Sequence, residues 1–206
     1  MLNKEFDRQV ENLINKGYPA LIGLEAEGFK KRLEPLRAVI DASNTLEESE
    51  ERIPFVIVIK GDWVNGELAM GLVERNNKKG FSVMEAEEVE RFKPIEGIQL
   101  PNGMAYLVLD IDTGESTRNI TPNDSIKIII NENRSPLTLE EGVAVITHYP
   151  DMLMKNKGFS LLGSRCGDKR VTALWISEGK PKLGWCWAGN PHTWLGSASC
   201  ASRAGI

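Results

Sequence analysis

The feature that most constrains the fold is the continuous apolar run from Pro54 to Ile59, which is built almost entirely of β-branched and aromatic residues. Such residues favour strands. A strand without polar positions must be covered on both of its faces, because neither face tolerates contact with water. The run therefore predicts a central strand with a layer of structure on each side.

Helices are predicted before this strand. Residues 3–16 place four apolar side chains on one face at helical spacing: Phe6, Val10, Leu13 and Ile14. A second helix is predicted over about 24–33, and Pro35 restarts the chain because proline lacks the donor that a continuing helix needs. Residues 43–52 are polar and acidic without periodicity, which predicts an exposed linker.

Helix and strand patterns alternate through the rest of the chain. Helices are predicted over 66–73, 85–92 and 122–130 and again after the capping box at Thr138, and strands over 80–83, 104–111, 171–177 and 183–188. These patterns predict an α+β fold, with amino-terminal helices packed on a mixed, largely antiparallel sheet. That sheet is expected to include 54–60, 104–111 and a tryptophan-bearing hairpin. We expect one domain over residues 1–206, with a candidate helical subdomain over 1–45.

Composition narrows the class of protein. The chain has 206 residues, of which 41% are hydrophobic and 26% charged, so it can bury a core without a metal or disulfide. Charged residues occupy the positions near Met1 where a secretory signal would be apolar, and every apolar run is shorter than the roughly 18 residues of a membrane helix. Three cysteines, an odd number, favour a reducing compartment. We therefore expect a cytoplasmic protein that does not span a membrane.

Charge is unevenly distributed along the chain. The formal net charge is -4, yet residues 151–206 carry a net +5 and residues 1–150 a net -9. This asymmetry is typical of an anionic ligand near the tail, or of complementary surfaces that meet within the fold or in a homo-oligomer. The basic residues are too scattered to predict binding to nucleic acid.

The tail also has an unusual composition. From Gly158 onward it contains all three cysteines, four of the five tryptophans and eight of the nineteen glycines. The segments 158–168, 173–177 and 184–200 resemble a bacterial family of unknown function, and the similarity extends from Glu5 to Cys200. The resemblance implies no activity, ligand, cofactor or catalytic residue.

One group of candidate functional residues is Cys166, Cys186, Cys200 and His192. Thiolates and an imidazole can hold zinc, or act as nucleophile and base. Their spacing matches no compact zinc signature, so we predict no metal site. The alternative is that the thiols are small buried hydrophobes.

A second group is aromatic. Trp185 and Trp187 share one face of a predicted strand, and Trp175 is expected to lie across the hairpin from them. Such a wall suits a planar or cationic ligand, although tryptophan also packs simply as core. The candidate ligand-binding residues are Arg165, Trp185, Trp187, Asn190, His192 and Trp194.

Two aspartates form a weaker candidate site. Asp110 and Asp112 fall on one strand face, and paired carboxylates can serve in catalysis. Asp112 also opens a turn over 112–115, which favours a hairpin to a partner strand at 116–120.

Three functions stay open on the sequence alone. The leading prediction is a small-ligand binding protein whose pocket is formed by residues 158–200. The alternatives are a cysteine-dependent or metal-assisted enzyme, and an oligomerisation or interaction protein. Neither the ligand nor any cofactor can be named.

Overall fold

A computed structural model describes residues 2–42 and 52–205. The predicted linker at 43–52 lies outside the described residues, apart from Arg52. The helices are α1 (Leu2–Asn15), α2 (Tyr18–Leu21), α3 (Ala26–Leu33), α4 (Arg37–Ala42), α5 (Gly66–Leu72), α6 (Ala86–Val89), α7 (Pro122–Asn131) and α8 (Leu139–His148). Single turns of 3-10 helix occur at Glu34–Leu36, Glu115–Thr117 and Pro150–Met152.

The strands form two main sheets. They are β1 (Arg52–Ile59), β2 (Glu74–Arg75), β3 (Lys78–Lys79), β4 (Phe81–Ser82), β5 (Lys93–Pro94), β6 (Ala105–Asp112), β7 (Ser135–Pro136), β8 (Gly158–Leu161), β9 (Ser164–Arg165), β10 (Arg170–Ser177), β11 (Lys180–Trp187), β12 (Leu195–Ser197) and β13 (Ser199–Ala204). The first sheet has the order β1-β6-β13-β7 and is antiparallel. The second has the order β12-β8-β10-β11-β4 and is mixed. The predicted α+β class is confirmed.

The arrangement of the sheets differs from the prediction. The tryptophan-bearing hairpin, β10 and β11, belongs to the second sheet, whereas β1 and β6 pair in the first. β13 inserts between β6 and β7, although its small residues carry no strand signal. The prediction of a single sheet is therefore wrong. The position beside β6 in the first sheet is occupied by β13, and the hairpin belongs to the second sheet.

β1 is buried along seven of its eight residues, as predicted, but it lies at an edge of its sheet and not at the centre. Side chains close this edge in place of a further strand. From α1, the Gln9 amide donates to Phe55 O (3.0 Å) and accepts from Ile57 N (2.8 Å). From α8, His148 Nε2 donates to Ile57 O (3.1 Å), and its Nδ1 accepts from Asn12 Nδ2 (3.3 Å). Helical side chains thus satisfy backbone groups that an edge strand would otherwise leave unpaired.

The predicted strand at 116–120 is absent, and a 3-10 turn follows β6 instead. Asp112 Oδ1 accepts from Gly114 N (2.6 Å), and Thr117 Oγ1 donates to Gly114 O (2.7 Å). Gly114 has a φ of 81°, which glycine adopts readily. These local bonds turn the chain away from β6 before a partner strand can form.

Gly114 also lies where two chain segments approach each other closely. A Cβ atom on Gly114 would lie 2.1 Å from Ser197 O, and a Cβ on Gly196 would lie 2.3 Å from Gly114 O. The loop after β6 therefore crosses the end of β12 backbone against backbone. This crossing joins the first sheet to the second at a place where only glycine fits.

The amino-terminal helices share the core of the sheets. Buried side chains of α1 and α3, including Phe6, Leu13 and Phe29, belong to one apolar cluster with those of β1, β6 and α8. Within residues 2–42 and 52–205, the structure has no helix with the length and apolar character needed to cross a membrane.

Candidate functional site

A cleft of about 480 Å³ opens where β1 ends and α5 and α8 begin. Its floor includes the buried side chains of Val89, Phe92 and Tyr106. We call it the polar cleft, because six titratable side chains line it: Lys60, Asp62, Glu90, Lys93, Tyr106 and Glu140.

The turn after β1 forms one wall of the polar cleft. Lys60 N donates to Met104 O (3.0 Å), and Lys60 O then accepts from Trp63 N (2.9 Å) and Val64 N (3.1 Å). Asn65 caps α5 by accepting from Glu67 N (2.8 Å). These bonds bring Lys60 and Asp62 to the mouth of the cleft.

The end of α6 forms the facing wall. Asn65 Nδ2 donates to Glu90 Oε1 (3.2 Å), so the cap of α5 also holds the carboxylate that follows α6. The short strand β5 continues this wall and places the exposed Lys93 at the rim.

α8 begins with the predicted capping box: Thr138 N donates to Glu141 Oε2 (2.8 Å), and Glu141 N donates to Thr138 Oγ1 (3.4 Å). Consecutive helical residues point in different directions, so Glu141 turns into the core while Glu140 faces the cleft. A Cβ on Gly61 would lie 2.9 Å from Glu140 Oε1. The glycine therefore gives the Glu140 carboxyl its place against the backbone.

Glu140 is half-buried: water reaches it through the cleft, while protein surrounds it on the other sides. Burial raises the pKa of its carboxyl, and the neighbouring Glu141 carboxylate acts in the same direction. Glu140 forms no ion pair with a described lysine or arginine. Lys60, Asp62 and Lys93 also form no ion pair within the described part of the chain. The cleft therefore holds charges of both signs that do not neutralise one another directly.

Tyr106 joins the floor of the cleft to a buried ion pair. Its hydroxyl donates to Glu141 Oε1 (2.9 Å), and Glu141 also accepts from Arg203 Nε (2.5 Å) and Nη2 (2.7 Å). Burial and the Glu141 charge both raise the pKa of Tyr106. The phenol is thus a neutral group whose proton is already directed at Glu141.

The predicted thiol candidates are separated by the fold. Cys200 lies in the first sheet and is fully buried, and burial raises its pKa to about 12. Cys186 lies in the second sheet, where burial raises its pKa, with Sγ 3.9 Å from Ser160 Oγ. Cys166 Sγ is half-exposed and donates to Asp168 Oδ1 (3.2 Å).

No bond joins His192 to any of these thiols among the described contacts; its ring lies 5.3 Å from that of Trp194, centroid to centroid. The described residues also contain no group of three or more His, Cys, Asp or Glu side chains that could hold a metal ion. The predicted cysteine and histidine constellation is therefore not assembled.

The predicted aromatic wall is divided between the two faces of the second sheet. Trp185 pairs with Thr172 and Trp187 with Arg170, whereas Trp175 pairs with Lys182. Alternate residues point to opposite faces, so Trp175 lies on the side away from Trp185 and Trp187.

Two separate ring contacts result. The centroids of Trp185 and Trp187 are 4.9 Å apart, and those of Trp175 and Trp194 are 5.9 Å apart. The remaining candidates stand apart as well: Arg165 Nη2 donates to Asp168 O (3.3 Å), and Asn190 is an exposed turn residue. The lining of the polar cleft comes from residues 60–140 and includes no member of the predicted segment 158–200.

The two aspartates also have structural partners. Asp110 binds Arg134 (2.8 Å) and Arg52 (3.0 Å), and Asp112 accepts from the backbone of the following turn. They do not form a carboxylate pair for catalysis.

Sequence reasoning missed the polar cleft, although two signals pointed to it. Polar Lys60, Gly61 and Asp62 follow directly on a buried strand. The capping box at Thr138 was identified, and it implies that the two adjacent glutamates face different ways. Neither signal alone shows that β1 and α8 meet at their ends.

Comparison with known proteins assigns no ligand or activity to the cleft. No curated protein and no solved structure shows significant similarity to the chain. A family model matches residues 12–206, a range that includes every residue lining the cleft, the three cysteines and the tryptophan-rich tail. The chain therefore belongs to the Family of unknown function (DUF5701).

Proposed function

We propose that this protein binds a small polar molecule in the polar cleft. The observation that carries the proposal is a cleft of about 480 Å³ whose charged side chains form no ion pair with any residue in the described part of the chain. Small-molecule sites usually measure about 300 to 1,000 Å³ and combine an apolar lining with a few polar groups. The half-buried Glu140 carboxyl is hydrogen-bonded to Thr138 and to its own backbone, but it has no counter-ion among the described residues, and a bound ligand would supply one.

A thermal-shift screen of polar metabolites tests this proposal. A ligand at 100 times its Kd stabilises the folded state by about 2.7 kcal/mol, which raises the Tm of a chain of this size by roughly 5 to 10 °C. We expect the Leu100→Trp variant to lose the shift, because Leu100 lines the cleft and the larger ring fills it. Leu21→Trp is the matched control, since Leu21 is exposed and does not line the cleft.

Two outcomes contradict the proposal. One is the absence of any stabilising compound from a broad panel. The other is a compound whose shift is the same in Leu100→Trp as in the unmodified protein, because such a ligand binds elsewhere.

The alternative of a cysteine-dependent enzyme has less support. Its strongest observation is that Cys166 is half-exposed and that Arg170 Nη2 lies 3.7 Å from its Sγ. The described contacts give Cys166 no histidine to act as base. We therefore favour ligand binding over thiol chemistry.

We further propose that the protein acts in the bacterial cytoplasm. All three cysteines are free thiols, which supports a reducing compartment. Fractionation of cells that express the tagged protein tests the location, and recovery outside the soluble cytoplasmic fraction contradicts it.

A further inference from the structure

The floor of the polar cleft offers oxygen acceptors. The Tyr106 proton is directed at Glu141, so the phenol oxygen can only accept a further bond from the cleft. The carboxylate of Glu140 accepts on both oxygens when it is ionised. With Glu140 ionised, a ligand group that reaches this floor therefore donates hydrogen bonds.

The surroundings of Glu140 favour a charged donor over a neutral one. Buried Val89 and Phe92 line the same cleft, and an ion pair is stronger in a medium of low polarity than in water. A metal ion is a poor fit, because the described residues place no three suitable side chains together. A small organic cation with N–H groups matches one carboxylate and one phenol oxygen.

We propose that the ligand carries a protonated primary amine, and that this ammonium group binds the Glu140 carboxylate and the Tyr106 oxygen at the floor of the cleft. The inference rests on the proposed function and narrows it to a class of ligand. An ammonium group has three donors, two of which these oxygens satisfy. At the mouth, Lys60 and Lys93 are placed to meet an anionic group on the same molecule, as a free amino acid would have.

Proton linkage follows from this arrangement. Because burial raises the pKa of Glu140, any fraction of the carboxyl that is protonated in the free protein loses its proton when an ammonium group binds. A ligand that instead accepted a bond from protonated Glu140 would take a proton up. The titratable groups that line the cleft with Glu140 are Lys60, Asp62, Glu90, Lys93 and Tyr106, and Glu141 follows it in α8. Substituting Glu140 alone therefore shows how much of the proton release on binding comes from this residue.

Three matched probes test the inference: L-norvaline, n-butylamine, which is norvaline without its carboxylate, and valerate, which is norvaline without its amine. We expect calorimetry to detect binding of the first two and not of valerate. Primary amines remain protonated below about pH 9. The affinity for n-butylamine should therefore rise with pH above 4.5, the ordinary value for a glutamate carboxyl, because Glu140 has a raised pKa and ionises at a higher pH than a free glutamate. Tighter binding of norvaline than of n-butylamine would indicate that the amine belongs to an amino acid, and equal binding would indicate that the ligand is a simple amine.

The Glu140→Gln variant provides the decisive comparison. The bond between an ammonium group and a carboxylate is charge-assisted, so we expect affinity for n-butylamine to fall about 10- to 150-fold at pH 8 and its dependence on pH to disappear. Glu96→Gln is the control for net charge, because Glu96 is exposed and lies outside the cleft. Melting temperatures of both variants show whether they remain folded.

The inference and the proposed function fail in different ways. Valerate binding as tightly as the amines, or unchanged amine affinity in Glu140→Gln, overturns the amine assignment. In that case, other panel compounds whose binding is lost in Leu100→Trp would show that the cleft binds a different class of ligand, and the proposed function would stand. If neither the panel nor the probes bind, the proposed function itself is overturned.

Discussion

Acid should destabilise this protein through His148 in particular. The imidazole is buried between α1 and β1, where its Nδ1 accepts from Asn12 and its Nε2 donates to Ile57 O. Both ring nitrogens are used in the neutral form, and a second proton would take the place of the Asn12 bond. Burial accordingly lowers the pKa of His148 from 6.5 to about 3.

The sign and size of the effect follow from these two values. The unfolded chain takes up the proton near pH 6.5 and the folded protein only near pH 3, so the free energy of unfolding falls as pH falls between them. One unit of pKa difference corresponds to about 1.4 kcal/mol. At pH 4.5, which is about two pH units below the pKa of His148 in the unfolded chain, this residue should lower the free energy of unfolding by about 2 to 3 kcal/mol relative to pH 7.

Urea denaturation at several pH values measures this cost. The comparison protein is His148→Gln, whose amide can still donate to Ile57 O but does not titrate. Other groups titrate in both proteins, and their contributions cancel in the difference. We expect the original protein to lose about 2 to 3 kcal/mol more than the variant between pH 7 and pH 4.5. Equal losses would refute the assignment of a neutral, buried imidazole.

Three further outcomes are expected. Gln9→Met should lower the free energy of unfolding in urea by about 2 to 4 kcal/mol, because it leaves two buried backbone groups of the edge strand unpaired; a loss below about 1 kcal/mol would contradict that role. Gly114→Ala should cost about 3 kcal/mol or more, whereas Gly97→Ala, at a similar positive φ in open space, should cost about 1 kcal/mol; similar costs would show that the backbone crossing is unimportant. Iodoacetamide should modify half-exposed Cys166 in the folded protein and reach buried Cys200 only after unfolding, as peptide mass spectrometry would show; rapid labelling of both would disprove the burial.

Local signals predicted the helices well, because the residues that define the apolar face and the caps of a helix lie close together in the sequence. The apolar face over 3–16 became α1, and Thr121 and Thr138 both cap helices as expected. α2 was missed, since four residues are too few to establish a period.

Long-range pairing was harder to predict. β13 consists of small and polar residues, and only its neighbours β6 and β7, far away in sequence, make it a strand. β1 was expected at the centre because burial on both faces resembles a central position, yet here helices provide the cover.

The division of the tryptophans could have been foreseen from the turn. The hairpin turns at Glu178 and Gly179, both with positive φ, so Ser177 pairs with Lys180. Any turn with an even number of residues places odd positions opposite even ones, and the predicted turn over 178–181 had the same parity. Trp175 was therefore never able to face Trp185.

Closing a strand edge with side chains rather than with another strand has a cost when the protein opens locally. If α1 detaches, Gln9 leaves with it, and β1 offers unpaired N–H and C=O groups along an apolar strand. Such an edge is a template on which a strand of a second molecule can assemble. α1 thus prevents β1 from pairing with a second molecule, and local detachment of α1 would allow that pairing and lead to aggregation.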